Sequence, residues 1–162
     1  MDYDNDYVKR CVELINENKL EDCVSVHHAS IYDFMTPNSP TAQLEKFDVA
    51  YFSGSLMIMP DPKAALSHVY SLLKKGNNAL IYITQTFETG KPNQFVKTIK
   101  PLLKFITTID FGQVTYEPQF LNTVKDSGLT VKECVSIKPS SVLSSATAKQ
   151  DRVFKLYTLF KK

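Results

Sequence analysis

The feature that most narrows the fold lies between residues 47 and 85. FDVAYF (47–52) is an apolar run of strand length, and it stops abruptly at Ser53, Gly54 and Ser55. Leu56, Met57, Ile58 and Met59 follow, before Pro60 and Pro62. Asp61 and Pro62 together make a helix start, because the carboxylate can accept from the free backbone N–H groups of the first turn and proline suits the first helical position. Ala64, Ala65, Leu66, Val69, Tyr70, Leu72 and Leu73 keep a helical period until Gly76, with Lys74 and Lys75 where cations suit the helix dipole. ALIYITQ (79–85) is then a second apolar strand. A strand, a helix that carries the chain back and another strand describe a parallel crossover. The first strand does not alternate after Asp48, which predicts burial on both of its faces.

The flanks agree with an α/β sheet but change style toward the end. Val8, Cys11, Val12, Leu14 and Ile15 give residues 7–20 an apolar helical face, with Asp4 or Asp6 placed to cap it. CVSVHHA (23–29) is a strand candidate. Residues 92–106 form a mixed helical stretch interrupted by Pro101, and residues 116–129 a helix with Phe120, Leu121 and Val124 apolar, closed by Gly128. TVKECVSIK (130–138) and VFKLYTLFK (153–161) both alternate, and the Ser-rich segment between them has no helical period. An antiparallel pair is therefore expected at the C-terminus. At 162 residues the chain has the length of one domain.

Composition excludes several classes. A 43% apolar and 22% charged chain is neither disordered nor collagen-like. Its net charge of +2 comes almost wholly from lysine, with Arg10 and Arg152 the only arginines, so a nucleic-acid partner is not indicated. Cys11, Cys23 and Cys134 form no CxxC pair and are odd in number, which points to a reducing compartment and small core residues. No apolar run approaches the roughly 20 residues of a bilayer span, and MDYDND is acidic where a signal peptide is basic. A cytoplasmic protein with no membrane association is expected. His27 and His28 point to opposite faces of a strand, so no metal site is expected.

The block FDVAYFSGSLMIMPDPKAALSHVYSLLKKGNNALIYI resembles the central part of class I S-adenosylmethionine-dependent methyltransferases of the type 11/12 kind: strand, small residue, loop, Asp-Pro, helix, Gly turn, strand. The resemblance implies a Rossmann-like sheet, mostly parallel, with an antiparallel C-terminal strand. It implies that residues 47–52 and 79–85 are that fold's fourth and fifth strands and the final pair its sixth and seventh. It also implies S-adenosylmethionine as cofactor. Ser53, Gly54 and Ser55 would admit the methionine portion, and Leu56, Met57 and Ile58 would pack near the cofactor or over its methyl group. Asp2 would hold the ribose hydroxyls, as a carboxylate accepts two hydrogen bonds from a diol, with Tyr3 beside the adenine and Asp4 as the alternative ribose ligand. Ser30 and Ile31 would contact the adenine.

The family's first strand and its glycine-rich loop have no counterpart here: none of the five glycines forms a G-x-G pair. Relative to the family, a strand–helix unit of roughly 30 residues or more is absent, so the domain reads as N-terminally truncated. The function implied is methyl transfer to a small-molecule or protein acceptor, with the activity of this chain by itself open and no catalytic residue assigned. Glu88 is a candidate base, although a solvated loop carboxylate is the simpler reading. Tyr82, Thr84 and Gln85 are expected to face the substrate side, and residues 88–120, with Phe95, Phe105, Phe111 and Tyr116, to face the acceptor. The alternative is a non-catalytic interaction module with a protein partner, or self-association, at an open sheet edge. A nicotinamide-dependent oxidoreductase is weaker, because its glycine fingerprint is absent too.

Overall fold

The computed structural model describes residues 1–76, 79–89, 115–137 and 152–161. Helix α1 (Asn5–Glu17) starts where Asp4 accepts hydrogen bonds from the backbone N–H groups of Asp6 and Tyr7. Strand β1 (Val49–Ser53) leads into a single 3-10 turn at Leu56–Ile58 and then helix α2 (Pro62–Ser71), capped by Asp61 accepting from the Ala64 N–H at 2.9 Å. Strand β2 (Leu80–Glu88), helix α3 (Glu117–Asp126), strand β3 (Thr130–Ile137) and strand β4 (Arg152–Phe160) complete the order. The expected crossover, the Asp61–Pro62 start and the final antiparallel pair are all present. The mixed helical stretch at 92–106, Phe95, Phe105, Phe111 and the Ser-rich segment lie outside the described residues.

The four strands form one sheet in the order β1-β2-β4-β3. β1 and β2 are parallel in the register Val49 with Leu80 through Ser53 with Thr84, whereas β2–β4 and β4–β3 are antiparallel. Among the described residues, further parallel pairing is confined to the bridges Asp2 with His28 and Phe47 with Leu73. Residues 23–29, expected as a strand, make only the His28 bridge. β2 pairs with β4 as far as Glu88 with Arg152, four residues beyond the end of β1, so the sheet narrows at its carboxyl edge.

One face of the sheet holds the core. Ile81, Ile83 and Leu159 are fully buried with Leu66 of α2 and Phe120 of α3, and Tyr157, Phe87 and Val124 are nearly so. α3 is tied to β4 at its first turn: Lys155 Nζ lies 2.7 Å from both carboxylate oxygens of Glu117, and the Tyr157 hydroxyl donates to Glu117 Oε1. The carboxylate suits this helix N-terminus, where the dipole is positive.

Three expectations are corrected. β1 is not buried on both faces: Phe52 is 6% exposed, but Val49 and Tyr51, on the other face, are 47% and 58% exposed. The cysteines are not core residues, since all three are exposed. Of the apolar face expected for the first helix only Ile15 is buried.

Candidate functional site

Two loops distant in sequence meet at the carboxyl end of the sheet. The first begins with residues 1–3, which lie along residues 27–29: the Asp2 N–H donates to the His27 carbonyl at 3.1 Å, and the Ala29 N–H to the Asp2 carbonyl at 2.9 Å. His28 Nε2 sits 2.9 Å from the Tyr3 carbonyl. Asp2 and Tyr3 are thus brought beside Ser30 and Ile31. The Asp2 carboxylate is exposed, with one oxygen accepting from the Asp4 N–H at 2.9 Å, and Tyr3 is exposed. Ser30 Oγ accepts the Tyr32 N–H at 3.3 Å, and Ile31 belongs to the core. Asp4, the alternative ribose ligand, uses one carboxylate oxygen, Oδ1, to cap α1.

The second loop is the small-residue break after β1. Gly54 continues the sheet by donating its N–H to the Thr84 carbonyl at 2.9 Å, then reverses the chain with φ +70°. A Cβ at this position would meet nothing within 4 Å, so the backbone here is open to approach and only its dihedral angle demands glycine. Gly54→Ala should therefore destabilise by strain alone, about 1–2 kcal/mol, read as a lower denaturation midpoint with unchanged slope. Ser53 is exposed and Ser55 half-buried. Leu56 corrects an expectation: it is fully buried in the core, because the 3-10 turn directs it inward, so its side chain does not line the open side of the loop. Met57 and Met59 pack partly against that core, and Ile58, 60% exposed, is the apolar residue this loop presents to solvent.

Tyr32 joins the two loops. Its hydroxyl donates to the Asp61 carbonyl at 3.1 Å and accepts the Asp61 N–H at 3.0 Å, while Ile31 and Leu56 share one hydrophobic cluster. Sequence reasoning missed Tyr32, and no local pattern signals a contact across such a separation. Tyr51 was also missed, although strand parity places it on the face of Ser53. Its hydroxyl is 2.9 Å from Thr84 Oγ1, and hydrogen bonds with Thr84 and then Ser53 hold its pKa below the usual phenol value.

Of the residues expected on the substrate side, Tyr82 is half-buried and Thr84 and Gln85 are buried. Glu88 is not a free base: its carboxylate is ion-paired with Arg152 at 2.7 Å and its N–H donates to the Thr115 carbonyl. Two hollows flank the first loop. One of about 450 Å³ is lined by His28, Ser30, Asp33 and Thr41 among others, and one of about 530 Å³ lies between Ser25 and His27 and the start of β1 at Phe47–Val49. Among the described residues no helix is long and apolar enough to cross a membrane.

No protein-family model and no curated protein matches the chain. Solved structures do. The cyclase SpnF superposes at a TM-score of 0.67 with 13% identity, over 98% of this chain and 63% of its own. The geranyl diphosphate C-methyltransferase of Streptomyces coelicolor A3(2), solved with Mg2+, geranyl diphosphate and S-adenosyl-L-homocysteine, gives 0.66 at 14% identity, over 99% and 60%. A putative methyltransferase of Bacillus halodurans C-125 gives 0.63 at 13%, over 98% and 79%. This chain spans less than two thirds of the first two. The likeness shows the fold: a Rossmann-like sheet of the class I S-adenosylmethionine-dependent methyltransferase type. The presence of a cyclase among the matches shows that the fold does not itself dictate the reaction.

Proposed function

Taking the class I methyltransferase fold as the premise, we propose that the chain binds S-adenosylmethionine and serves methyl transfer to a small-molecule or protein acceptor. The observation that carries this reading is the joining of the two loops. An exposed carboxylate and phenol at Asp2 and Tyr3 stand beside Ser30, and Tyr32 and Ile31 knit that segment to the Ser53–Asp61 loop. The residues fit the cofactor in chemistry: Asp2 suits a ribose diol, Tyr3 offers an aromatic face, Ser30 a hydroxyl near the adenine, and the open backbone at Gly54 permits close approach. The bound cofactor supplies an electrophilic methyl group. The chain's part is then to bind and orient, since methyl transfer depends on alignment more than on acid–base groups. Cytoplasmic location belongs to the same proposal.

Calorimetry with S-adenosylhomocysteine tests it, with reduced nicotinamide dinucleotide as the rival ligand. Measurable binding of the first and none of the second is expected. Asp2→Ala should weaken that binding about 10- to 100-fold, the loss of charge-assisted hydrogen bonds, without moving the melting temperature, because the side chain is exposed. No binding by the wild type, or equal binding by the variant, sinks the assignment.

A second reading is favoured by one observation. Among the described residues β1 pairs along its length only with β2, and its outward face exposes Val49, which lines the 530 Å³ hollow, and Tyr51; an open strand edge invites pairing with another chain. A non-catalytic module would use that edge for a protein partner or a second copy. Concentration-dependent sedimentation without S-adenosylhomocysteine binding would favour it.

A further inference from the structure

The loop after β1 is held from its two ends more than from within. Its single 3-10 turn closes with hydrogen bonds of 3.3 Å, from the Ile58 N–H to the Ser55 carbonyl, and 3.2 Å, from the Met59 N–H to the Leu56 carbonyl. Both lie at or beyond the long end of the usual range, as the poor geometry of 3-10 turns allows. Leu56 is wholly buried, but Met57 and Met59 are flexible side chains that pack only partly on the core. The firmer pins are terminal. At one end the Gly54 N–H meets the Thr84 carbonyl at 2.9 Å, and at the other both backbone groups of Asp61 meet the Tyr32 hydroxyl, at 3.0 and 3.1 Å.

Tyr32 belongs to the other loop. Its own N–H donates to Ser30 Oγ at 3.3 Å, and the Ser30 carbonyl accepts from the Asp33 and Phe34 N–H groups at 3.1 and 3.0 Å. One residue thus touches Ser30 through its main chain and Asp61 through its side chain. The fold does not need that hydroxyl. Asp61 is exposed, so water can meet its N–H and carbonyl in place of the phenol. The turn at 30–34 stays on α2 without it, through buried Ile31 and Phe34 and through His68 Nε2, which donates to the Phe34 carbonyl at 2.8 Å. A phenylalanine ring would pack against the core as Tyr32 does. What the hydroxyl adds is the position of one loop relative to the other.

We infer that Tyr32 is a positioning residue that couples the two halves of the site. A ligand held at Asp2, Tyr3 and Ser30 restrains the 30–34 turn, and the phenol passes that restraint to Asp61, so the 53–61 loop is set before the rest of the ligand reaches it. This rests on the methyl-transfer reading and deepens it, by making the adenosine and methionine portions of the cofactor bind as one unit. Tyr32 acts through Ser30 and the Asp61 backbone and needs no contact with the ligand. The coupling is reciprocal, so a ligand in the second loop steadies the first to the same degree.

The test compares wild type with Tyr32→Phe, using adenosine and S-adenosylhomocysteine as ligands. In the wild type, adenosine alone should slow hydrogen exchange several-fold at the Ile58 and Met59 amides, which are bonded within the second loop. In Tyr32→Phe that slowing should vanish while the melting temperature stays near that of the wild type. By calorimetry the variant should bind S-adenosylhomocysteine about five- to tenfold more weakly and adenosine within about twofold of the wild type, since only the ligand that spans both loops uses the coupling. Slowing that persists in the variant is direct contact and overturns the inference, as does no slowing in the wild type or no binding of adenosine by it. Equal loss for both ligands makes Tyr32 a brace of the first loop alone, and a variant that melts several degrees lower makes it a fold-holding residue. Unchanged S-adenosylhomocysteine binding by the variant also overturns the coupling. Each of these leaves methyl transfer standing as long as the wild type binds S-adenosylhomocysteine, and no such binding overturns both claims.

Discussion

Phe120→Ala is expected to cost about 3–5 kcal/mol, a large part of the 5–15 kcal/mol that holds a domain of this kind together. Phe120 is fully buried, with its ring 4.6 Å from that of Tyr157 and 5.5 Å edge-on from that of Phe87, so it fills the junction of α3, β2 and β4. Alanine leaves a void that rigid strands cannot close, and the lost ring contacts add to the lost burial. Urea denaturation should show a much lower midpoint with an unchanged slope, and Phe120→Leu should restore more than half of the loss. A cost below about 1 kcal/mol would mean that the α3 junction is not part of the cooperative core.

The second large effect concerns charge. Glu117→Ala should cost about 2–3 kcal/mol, less than for a fully buried pair because the Glu117 and Lys155 side chains retain 33% and 21% exposure. The loss strands two groups together: the Lys155 ammonium and the hydroxyl of Tyr157, a residue 1% exposed. Lys155→Met added to Glu117→Ala should recover part of the cost, since the stranded charge is then gone. A double-mutant cycle with less than about 0.5 kcal/mol of coupling would show the pair to be incidental.

The same cluster makes stability depend on pH in a stated direction. Hydrogen bonds from Lys155, then from Tyr157, hold the Glu117 carboxyl below its ordinary 4.5, so the folded state releases that proton more readily than the unfolded chain. That contribution is complete above pH 4.5 and is lost as pH falls through the depressed value. Tyr157 behaves oppositely. Burial first, then the Glu117 carboxylate, pushes its pKa well above the ordinary 10, so its contribution is present below pH 10 and declines as pH rises beyond. Denaturation midpoints of wild type against pH should fall on both sides, and Glu117→Ala should flatten the acid side.

Much of the fold was legible because its signals are local. The Asp61–Pro62 start, the helix that follows it and the last two strands each have signals in a few neighbouring residues, and each is present. The helix, however, ends at Ser71 and not near Gly76, because Leu73 leaves it to bridge with Phe47, so Lys74 and Lys75 are not in its last turn. The misreadings share a cause. Val49 and Tyr51 read as buried because apolar continuity reports what a strand could bury, whereas exposure depends on what lies beside it. Leu56 read as a loop residue open to a ligand, yet one turn of 3-10 geometry carries it into the core. Glu88 read as a solvated loop carboxylate, with a base as the lesser alternative, because Arg152, its partner, is remote in the chain.

The candidate site divides in the same way. Gly54 was evident from sequence, since a small-residue break between a strand and a helix start has few other uses, and its left-handed φ bears out the turn. That Asp2 lies along His27–Ala29, that Tyr32 grips Asp61 and that Gln85 stands past the end of β1 were decided only by tertiary structure. Local dihedral preferences and hydrophobic period are written into adjacent residues and survive in any context. Strand register and loop-to-loop contact are set by the packing of the whole sheet, where a shift of one residue exchanges every inward side chain for an outward one.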